Sequence, residues 1–234
     1  MKELSIIIPT YKERDNIKAI IGRVSDILNA LNIIHEIIIV DDNSPDGTAK
    51  IAKSLSDKYP VRVIVRNGRF GLASAILTGF MNAKGDILGV IDADMQHPPE
   101  LMAELIRKIK DGYDIAIASR YVKGGGIEDW GFLRKLVSKG AIMLAKPLTK
   151  VKDPISGYFL LRRSVIDGVQ FNLKGYKLLL EILVKGKYRR VAEVPYTFKK
   201  RMMGESKLKA SEYWKYLRLL THLYKTKFLR CRSK

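Results

Sequence analysis

Several features that define common protein classes are missing from this chain of 234 residues. Its single cysteine, Cys231, excludes an internal disulfide framework and is typical of a reducing compartment. No stretch approaches the ~18 consecutive apolar residues that a membrane-spanning helix needs. The N-terminal residues lack the apolar core and the small-residue cleavage site of a signal peptide. We therefore expect a protein that is made and kept in the cytosol.

Motifs that announce common nucleotide-binding and catalytic sites are absent as well. No G-x-G-x-x-G and no G-x-x-x-x-G-K-[ST] follows the first predicted strand, which argues against a dinucleotide dehydrogenase and a P-loop enzyme. There is no G-x-S-x-G, H-E-x-x-H or C-x-x-C, and the histidines His35, His97 and His222 are scattered. Without a glycine cradle, a divalent ion and basic side chains must neutralise any bound phosphate.

Positive charge is abundant but uneven. The net charge is +19, yet residues 1–119 hold 15 Lys and Arg against 16 Asp and Glu. Residues 199–234 hold 12 basic residues against 2 acidic ones. This asymmetry indicates an anionic partner, which is a nucleic acid, an anionic membrane surface or a phosphorylated substrate.

Short apolar runs alternate with segments of helical periodicity, which predicts an α/β fold with a mostly parallel sheet. The predicted strands are 4–8, 36–40, 61–65, 87–91, 114–119, 157–161 and 190–194. The predicted helices are 17–31, 48–57, 71–83, 99–110, 132–146, 176–185 and 210–229. Three glycines in residues 123–126 predict a mobile loop.

Paired aspartates stand at the ends of two predicted strands. Asp92 and Asp94 follow the strand at 87–91, and Asp41-Asp42 ends the strand at 36–40. Ligands of open α/β sheets bind outside the carboxyl ends of the strands. Alternate residues of an extended chain point to one side, so Asp92 and Asp94, with Gln96, are suited to Mg²⁺ or Mn²⁺. The alternative is that these aspartates cap a helix that begins near Pro98.

The segment Pro9-Thr10-Tyr11-Lys12-Glu13 ends the first predicted strand and should line the same edge of the sheet. Tyr11 offers a ring and Glu13 an acceptor for a ribose or a base. A simple turn after the strand explains Pro9 equally well.

The last predicted helix, 210–229, is amphipathic. One face carries Tyr213, Tyr216, Leu217, Leu220, Leu223 and Tyr224, and the other carries Lys215, Arg218, His222 and Lys225. This composition is typical of a helix that lies in a membrane interface. It equally fits a helix whose apolar face packs on the α/β core while its basic face is solvated.

Seven short motifs within residues 4–208 resemble, in order and spacing, those of the polyprenol-phosphate (dolichol-phosphate) mannose synthases. They are P-T-Y-K-E, V-D-D-N-S-P-D-G-T, D-A-D-M-Q-H-P-P, S-R-Y, D-P-I-S-G-Y-F, G-Y-K…E-I-L and G-E-S-K-L. These enzymes are inverting nucleotide-sugar transferases of glycosyltransferase family 2 with the GT-A fold. The chain departs from the family's usual residues at Asn43 and Met95. The resemblance implies a single GT-A (Rossmann-like) domain over residues 1–208, followed by a basic amphipathic helix and tail at 209–234.

The resemblance also implies a role for individual residues. It places the guanosine end of GDP-mannose against Pro9, Tyr11, Glu13, Val40 and Asp42. It places Mg²⁺ or Mn²⁺ and the diphosphate at Asp92, Ala93, Asp94 and Gln96, with Asp92, Asp94 and Gln96 as metal ligands. It assigns contacts with the donor or acceptor phosphate to Arg120, Arg201 and Lys207, and less directly to Arg134 and Lys177. Catalysis would depend most on Asp94, Arg120 and Arg201.

The implied reaction transfers mannose with inversion to dolichyl or polyprenyl phosphate, for protein glycosylation or glycolipid synthesis. The nucleophile is a phosphate oxygen, which is largely dianionic at neutral pH because the second pKa of a phosphomonoester is ~6. No general base is then required. The lipid stays in the bilayer, so we expect the protein at the cytoplasmic face of a membrane. It would attach peripherally through its cationic helices or through a separate small membrane subunit.

Two other functions compete with this interpretation. A related family 2 transferase would use a UDP-sugar, such as UDP-glucose, with the same kind of acceptor. A basic nucleic-acid-binding module would explain the net charge of +19 directly and would bind in a steeply salt-dependent way. No nucleic-acid-binding motif is present and aspartates line the predicted ligand edge, so we expect no nucleic-acid partner.

Overall fold

A mixed β-sheet forms the centre of this computed structural model, which describes residues 2–128, 131–171, 177–198 and 210–232, with the backbone alone at 132–135, 210–213 and 230–232. The strands are β1 (Leu4–Thr10), β2 (His35–Asp41), β3 (Val61–Val65), β4 (Ile87–Val90), β5 (Ile115–Ser119), β6 (Gly126–Ile127), β7 (Phe159–Arg162), β8 (Val191–Pro195) and β9 (Thr197–Phe198). Within the described ranges, the main sheet has the order β3-β2-β1-β4-β7-β5-β8, and β6 pairs with β9.

Helices connect most of these strands. They are α1 (Arg14–Ala30), α2 (Thr48–Lys53), α3 (Leu72–Asn82), α4 (Met102–Lys110), α5 (Phe132–Ala145), α6 (Leu178–Lys185) and α7 (Ala210–Arg232). The α/β prediction is confirmed. The helix expected over 48–57 is shorter than predicted and ends at Lys53. The helix expected from residue 99 begins with the 3-10 turn Pro99–Leu101.

The sheet is mostly parallel, as expected, with β7 as the exception. It runs antiparallel to both of its neighbours, β4 and β5. Phe159, its first residue, pairs with Val90, the last residue of β4. The chain therefore enters β7 at the carboxyl edge of the parallel strands, which brings the segment just before β7 to the edge where ligands are expected.

Helices cover both faces of the sheet and bury alternate residues of each strand. Ile6, Ile8 and Ile39 pack with α1, α2 and α4 on one face. On the other face, Ile7 and Ile38 pack with α3 and α6. This alternation follows from the two-residue period of a strand, and burial on both faces explains why the strands are nearly continuous apolar runs.

A third apolar cluster joins α5, α6 and α7. Tyr216, Leu219, Leu220 and Leu223 of α7 are buried there against residues that include Ile142, Ala145, Leu148 and Leu180. Tyr216, Leu220 and Leu223 of the predicted apolar face therefore pack on the body of the protein, as one of the two alternatives predicts. Leu217 and Tyr224 of the same face are 41% and 39% exposed. None of the helices in the described part of the chain is long and apolar enough to cross a bilayer.

The glycines at 124–126 do not form the unrestrained loop that their number predicts. Gly126 belongs to β6, where it pairs with Thr197. A Cβ atom added to Gly125 would lie 2.7 Å from the Ser119 carbonyl oxygen, which is too close for any side chain. Glycine is required here because two backbone segments meet closely, so the mobile-loop prediction is wrong for Gly125 and Gly126.

Candidate active site

The carboxyl ends of three neighbouring strands form the predicted ligand edge. β1 lies between β2 and β4, with Thr10 paired to Asp41 and Ile7 paired to Val90. The chain continues from β1 to β2 and β3 on one side, whereas β4 lies on the other side. Ligands of open α/β sheets bind where the strand order reverses in this way. The structure therefore brings the two aspartate pairs to one edge, as the sequence predicts.

The backbone turns sharply after each of these three strands. Lys12, Asn43 and Met95 adopt positive φ angles of 56°, 54° and 60°. Asparagine tolerates the left-handed region better than most residues, which explains Asn43. Met95 does not have that advantage, and such conformations cost about 1–3 kcal/mol and cluster at functional sites.

Both aspartates at the end of β2 are held by protein donors. Asp41 accepts hydrogen bonds from the Thr10 hydroxyl at 2.8 Å and from the Ser44 hydroxyl and amide at 2.7 Å each. Asp42 forms a buried ion pair with Arg66, whose Nε lies 2.6 Å from Oδ1. Its other oxygen, Oδ2, accepts from the amides of Phe70 and Gly71 at 3.1 and 3.0 Å. These carboxylates hold the loops around them in place.

An exposed arginine lies over the predicted nucleoside-binding residue Tyr11. The guanidinium carbon of Arg69 is 4.3 Å from the centre of the Tyr11 ring. Glu13 accepts a hydrogen bond from the Asn16 side chain at 2.9 Å. No sequence signal identified Arg69, which lies between β3 and α3 in a segment without a recognisable motif.

The apolar residues among the predicted ligand contacts, Pro9, Val40 and Ala93, have buried side chains. Pro9 belongs to β1, Ala93 is 3% exposed, and the Val40 side chain is wholly buried among residues of α3 and the sheet. The Val40 side chain is therefore part of the core, which leaves its backbone as the part that can face a ligand.

The aspartates after β4 lie in a turn. Ala93 and Asp94 form a turn and Met95 has a positive φ, so the expectation that Asp92 and Asp94 align through extended backbone is wrong. The Asp92 side chain is 32% exposed, and its Oδ2 lies 3.3 Å from Nε2 of the buried His97. Asp94 is buried, and its Oδ1 accepts a hydrogen bond from the backbone amide of Gln96 at 3.2 Å. The capping alternative is also wrong, since Pro98 precedes the 3-10 turn and no side chain caps it.

The donor set of this turn fits a hard divalent cation. No group of three or more His, Cys, Asp or Glu side chains with metal-binding geometry occurs within the described residues. Two carboxylates and an amide suit Mg²⁺ or Mn²⁺, because such ions are commonly held by one or two carboxylates plus substrate phosphates. The carboxylate of Asp92 is partly exposed and so is accessible to such an ion.

Arg120 follows β5 at the same edge and is held by a buried carboxylate. Its Nε and Nη2 donate to the two oxygens of Asp153, at 2.8 and 2.7 Å. Burial disfavours the charged guanidinium, but the hydrogen bonds and charge of Asp153 outweigh burial and raise the pKa of Arg120 above its usual range. Glu193 supports this pair by accepting from the Asp153 amide and the Ser119 hydroxyl, at 3.0 and 2.7 Å. Asp153 begins the D-P-I-S-G-Y-F motif, but no pattern in the sequence predicted its contact with Arg120.

The remaining predicted contacts are Lys177, Arg134, Arg201 and Lys207. Lys177 is half-buried immediately before α6. Arg134 belongs to α5, and its side chain lies outside the described part. Arg201 and Lys207 lie outside the described residues. Their roles as phosphate contacts remain predictions.

The sequence profile of glycosyl transferase family 2 matches residues 5–169. The chain belongs to this family. This glycosyltransferase is 52% identical to a dolichol-phosphate mannosyltransferase of Pyrococcus furiosus, over 95% of this chain and 63% of the relative. Similar proteins of the same name occur in Saccharomyces cerevisiae, at 40% identity over 97% of this chain and 88% of the relative, and in Mycosarcoma maydis, at 38% over 96% and 80%. The chain thus spans less than two thirds of the archaeal relative and most of the fungal ones.

Solved structures share the fold of the glycosyltransferase at low sequence identity. Mannosyl-3-phosphoglycerate synthase from Rubrobacter xylanophilus has a TM-score of 0.72 at 21% identity, covering 94% of this chain and 73% of that one. Glucosyl-3-phosphoglycerate synthase from Mycobacterium tuberculosis, in complex with Mn²⁺, UDP-glucose and phosphoglyceric acid, has a TM-score of 0.66 at 18% identity, covering 98% and 80%. These likenesses confirm the expected fold class.

Proposed function

We propose that this glycosyltransferase moves mannose from GDP-mannose to the phosphate of dolichol or another polyprenol, with inversion at the anomeric carbon. One observation carries the proposal. Relatives named dolichol-phosphate mannosyltransferase are 52%, 40% and 38% identical over at least 95% of this chain. The positions of the aspartates and of Arg120 at one sheet edge are consistent with that reaction.

The guanosine end of the donor would lie at the ends of β1 and β2. Tyr11 supplies an aromatic face there, and Arg69 stacks over that face at 4.3 Å. Glu13 and Asp42 supply one carboxylate each, but both oxygens of Asp42 already accept hydrogen bonds from protein donors. Asp42 would therefore act by shaping the pocket wall through Arg66 and residues 70–71.

The diphosphate would lie beside the turn after β4. Asp92, Asp94 and Gln96 would hold Mg²⁺ or Mn²⁺, which supplies Lewis-acid stabilisation of the departing diphosphate when bound. The carboxylates bind no leaving group themselves, because their negative charge would repel it. Their task would be to hold the divalent ion beside the departing diphosphate.

The acceptor phosphate would be gathered by basic side chains. Arg120 is suited to this task because Asp153 holds its guanidinium in one orientation. Arg201 and Lys207, with Arg134 and Lys177, would complete the contacts with the phosphates. A dianionic phosphate oxygen is already a competent nucleophile, so these residues bring two anionic reactants together and no general base is needed.

An apolar and basic surface on α5 and α7 would meet the bilayer that contains the lipid. Large apolar side chains exposed on these two helices are Leu136, Val137, Met143, Leu144, Trp214, Leu217, Tyr224, Phe228 and Leu229. We call this set the α5–α7 surface. Hydrogen bonds of 2.6 Å from Tyr216 to Ala141 and from Tyr224 to Leu144 hold the two helices together.

Exposed basic residues accompany the α5–α7 surface, among them Lys139, Lys146, Lys215, Arg218 and Lys225. Each Lys or Arg near an anionic lipid contributes roughly 1 kcal/mol. We therefore propose residues 1–208 as the catalytic domain and 209–234 as part of a peripheral attachment to the cytoplasmic face. A separate membrane subunit would be an additional means of attachment.

The donor and the acceptor are tested together by a transfer assay. The full chain is incubated with polyprenyl phosphate, Mn²⁺ and radiolabelled GDP-mannose or UDP-glucose, and lipid-linked sugar is extracted and counted. We expect lipid-linked sugar with GDP-mannose but not with UDP-glucose as the donor. We expect no product from either donor when EDTA removes the metal. Preferred use of UDP-glucose would reassign the donor.

Attachment is tested by flotation with anionic liposomes. Replacing Trp214, Phe228 and Leu229 with serine should reduce the bound fraction, because these residues are 69%, 59% and 66% exposed. A matched control replaces Ile34 and Met81, which are 56% and 85% exposed outside the α5–α7 surface. Equal binding by the two variants would reject the surface as the attachment site.

A further inference from the structure

His97 is enclosed by aromatic rings directly beside the predicted metal site. It is 3% exposed, and the centres of Tyr158, Tyr196 and Phe198 lie 5.6, 5.4 and 5.2 Å from the centre of its ring. These rings come from the segment before β7 and from β8–β9, far from His97 in sequence. The fold therefore holds the imidazole in one place from several directions.

The two ring nitrogens of His97 have different surroundings. Nε2 lies 3.3 Å from Oδ2 of Asp92, within the distance of an ion pair. Nδ1 is buried and has no hydrogen-bond partner among the residues that the structure describes. The tautomer of a histidine follows from the bonds that its nitrogens make. A proton on Nε2 meets an acceptor, whereas a proton on Nδ1 would be buried among rings, so the surroundings favour the Nε2 tautomer.

Gly157 borders the same carboxylate. A Cβ atom at this position would lie 2.8 Å from Oδ2 of Asp92 and 3.5 Å from Nε2 of His97. The D-P-I-S-G-Y-F segment thus leaves room for the contact between Asp92 and His97 because it has a glycine here. One carboxylate oxygen is in this way bounded by two residues that belong to different parts of the chain.

We propose that His97 is a positioning residue for Asp92, donating from Nε2 to Oδ2 and so directing the other oxygen, Oδ1, toward a divalent ion. This inference rests on the proposed function, because it assumes that Asp92 is a metal ligand. In this role His97 acts on the ion only through the orientation of the Asp92 side chain. Groups that orient metal ligands in this way typically change metal affinity by about 10- to 100-fold.

Two substitutions separate the hydrogen bond from the packing. His97→Phe retains a ring among the three aromatic residues but removes the donor. His97→Gln places an amide N–H near the position of Nε2 but loses the ring. We expect His97→Phe to weaken Mn²⁺ binding to the full chain in the presence of GDP about 10- to 100-fold, and His97→Gln to bind within a few-fold of the wild type. Isothermal titration calorimetry measures the affinity without any turnover.

Controls assign the effect to Asp92. His222→Phe, at an exposed position on α7, should leave Mn²⁺ affinity unchanged. In an Asp92→Asn background, adding His97→Phe should cause no further loss, because a residue that acts only through Asp92 has nothing left to orient. In turnover assays, His97→Phe should raise the KM for Mn²⁺ more than it lowers kcat, a split that general loosening of the fold would not produce.

The outcomes are distinguishable. Wild-type affinity in His97→Phe, equal losses in the Phe and Gln variants, or a full additional loss in the Asp92→Asn background would each overturn the positioning role. If His97→Phe does not fold by circular dichroism, Gly157→Ala carries the test. Its Cβ must displace Oδ2, so unchanged Mn²⁺ affinity in that variant would equally overturn the role. Failure of the wild type to bind Mn²⁺ with GDP would instead count against the proposed function.

Discussion

The aspartates that follow β2 and those that follow β4 have similar sequence signatures but different surroundings. Both pairs stand at the carboxyl ends of buried strands that flank β1. The carboxylates of Asp41 and Asp42 accept hydrogen bonds from side chains and amides on several loops, and Arg66 is buried against Asp42. Of the β4 pair, Asp94 is buried as well, whereas the Asp92 side chain is 32% exposed and contacts His97.

This difference shows that position at a strand end does not determine what a carboxylate does. The surroundings of the β2 pair make it a structural element that joins three loops. Those of the β4 pair leave a carboxylate accessible to a cation. Substitution of the β2 pair should therefore mainly lower the stability of the fold, whereas substitution of the β4 pair should mainly lower the rate of transfer.

Loss of a carboxylate after β4 should have the largest effect. Asp94→Ala and Asp92→Ala should each lower transfer at saturating Mn²⁺ by about 10³-fold, because Lewis-acid stabilisation supplies several kcal/mol and each 1.36 kcal/mol is tenfold in rate. Turnover of GDP-mannose measures the loss. The melting temperature should stay near that of the wild type, and near-normal turnover in either variant would sink the metal assignment.

Loss of a carboxylate charge after β2 should mainly lower stability. Asp42→Asn leaves the buried charge of Arg66 without its partner, which typically costs about 3–5 kcal/mol. Urea unfolding measures the change. A double variant, Asp42→Asn with Arg66→Met, should recover part of the lost stability because no unpaired charge remains. Unchanged stability with abolished transfer in Asp42→Asn would make the two aspartate pairs equivalent and erase the contrast.

The smallest effect is expected at Arg69, on the exposed side of the β2 end. Arg69→Ala should raise the KM for GDP-mannose about two- to fivefold with little change in kcat, since an exposed cation–π contact is worth about 0.5–1 kcal/mol. Arg107→Ala, at an exposed position on α4, is the matched control. Identical kinetics for the two variants would mean that Arg69 is a surface residue without contact to the donor.

Much of the fold was predictable because its signals are local. The apolar runs at 36–40 and 87–91 coincide closely with β2 and β4, since strands buried on both faces are continuously apolar. The helical period around Ile17, Ile20 and Val24 predicted α1 for the same kind of reason. The reversed direction of β7 was not predictable, because strand direction depends on how distant segments pair.

The candidate site likewise has residues that local motifs predicted and residues that only distant contacts bring together. The end of a predicted strand and the spacing of two aspartates pointed to Asp92 and Asp94, and the order of the motifs pointed to the family that the profile and the relatives confirm. The ion pair of Arg120 with Asp153 and the aromatic enclosure of His97 join residues 33 or more positions apart, and no local pattern announces them.

The sequence by itself determined the α/β class, the family and the edge of the sheet at which its acidic residues meet. Those properties follow from local periodicity and from short motifs. Only the tertiary structure decided which carboxylates accept hydrogen bonds from protein donors, which one stays accessible, and which residues of the apolar face of α7 pack on α5 and α6. The physical reason is that the environment of a side chain is set by neighbours in space, and here those neighbours come from distant parts of the chain.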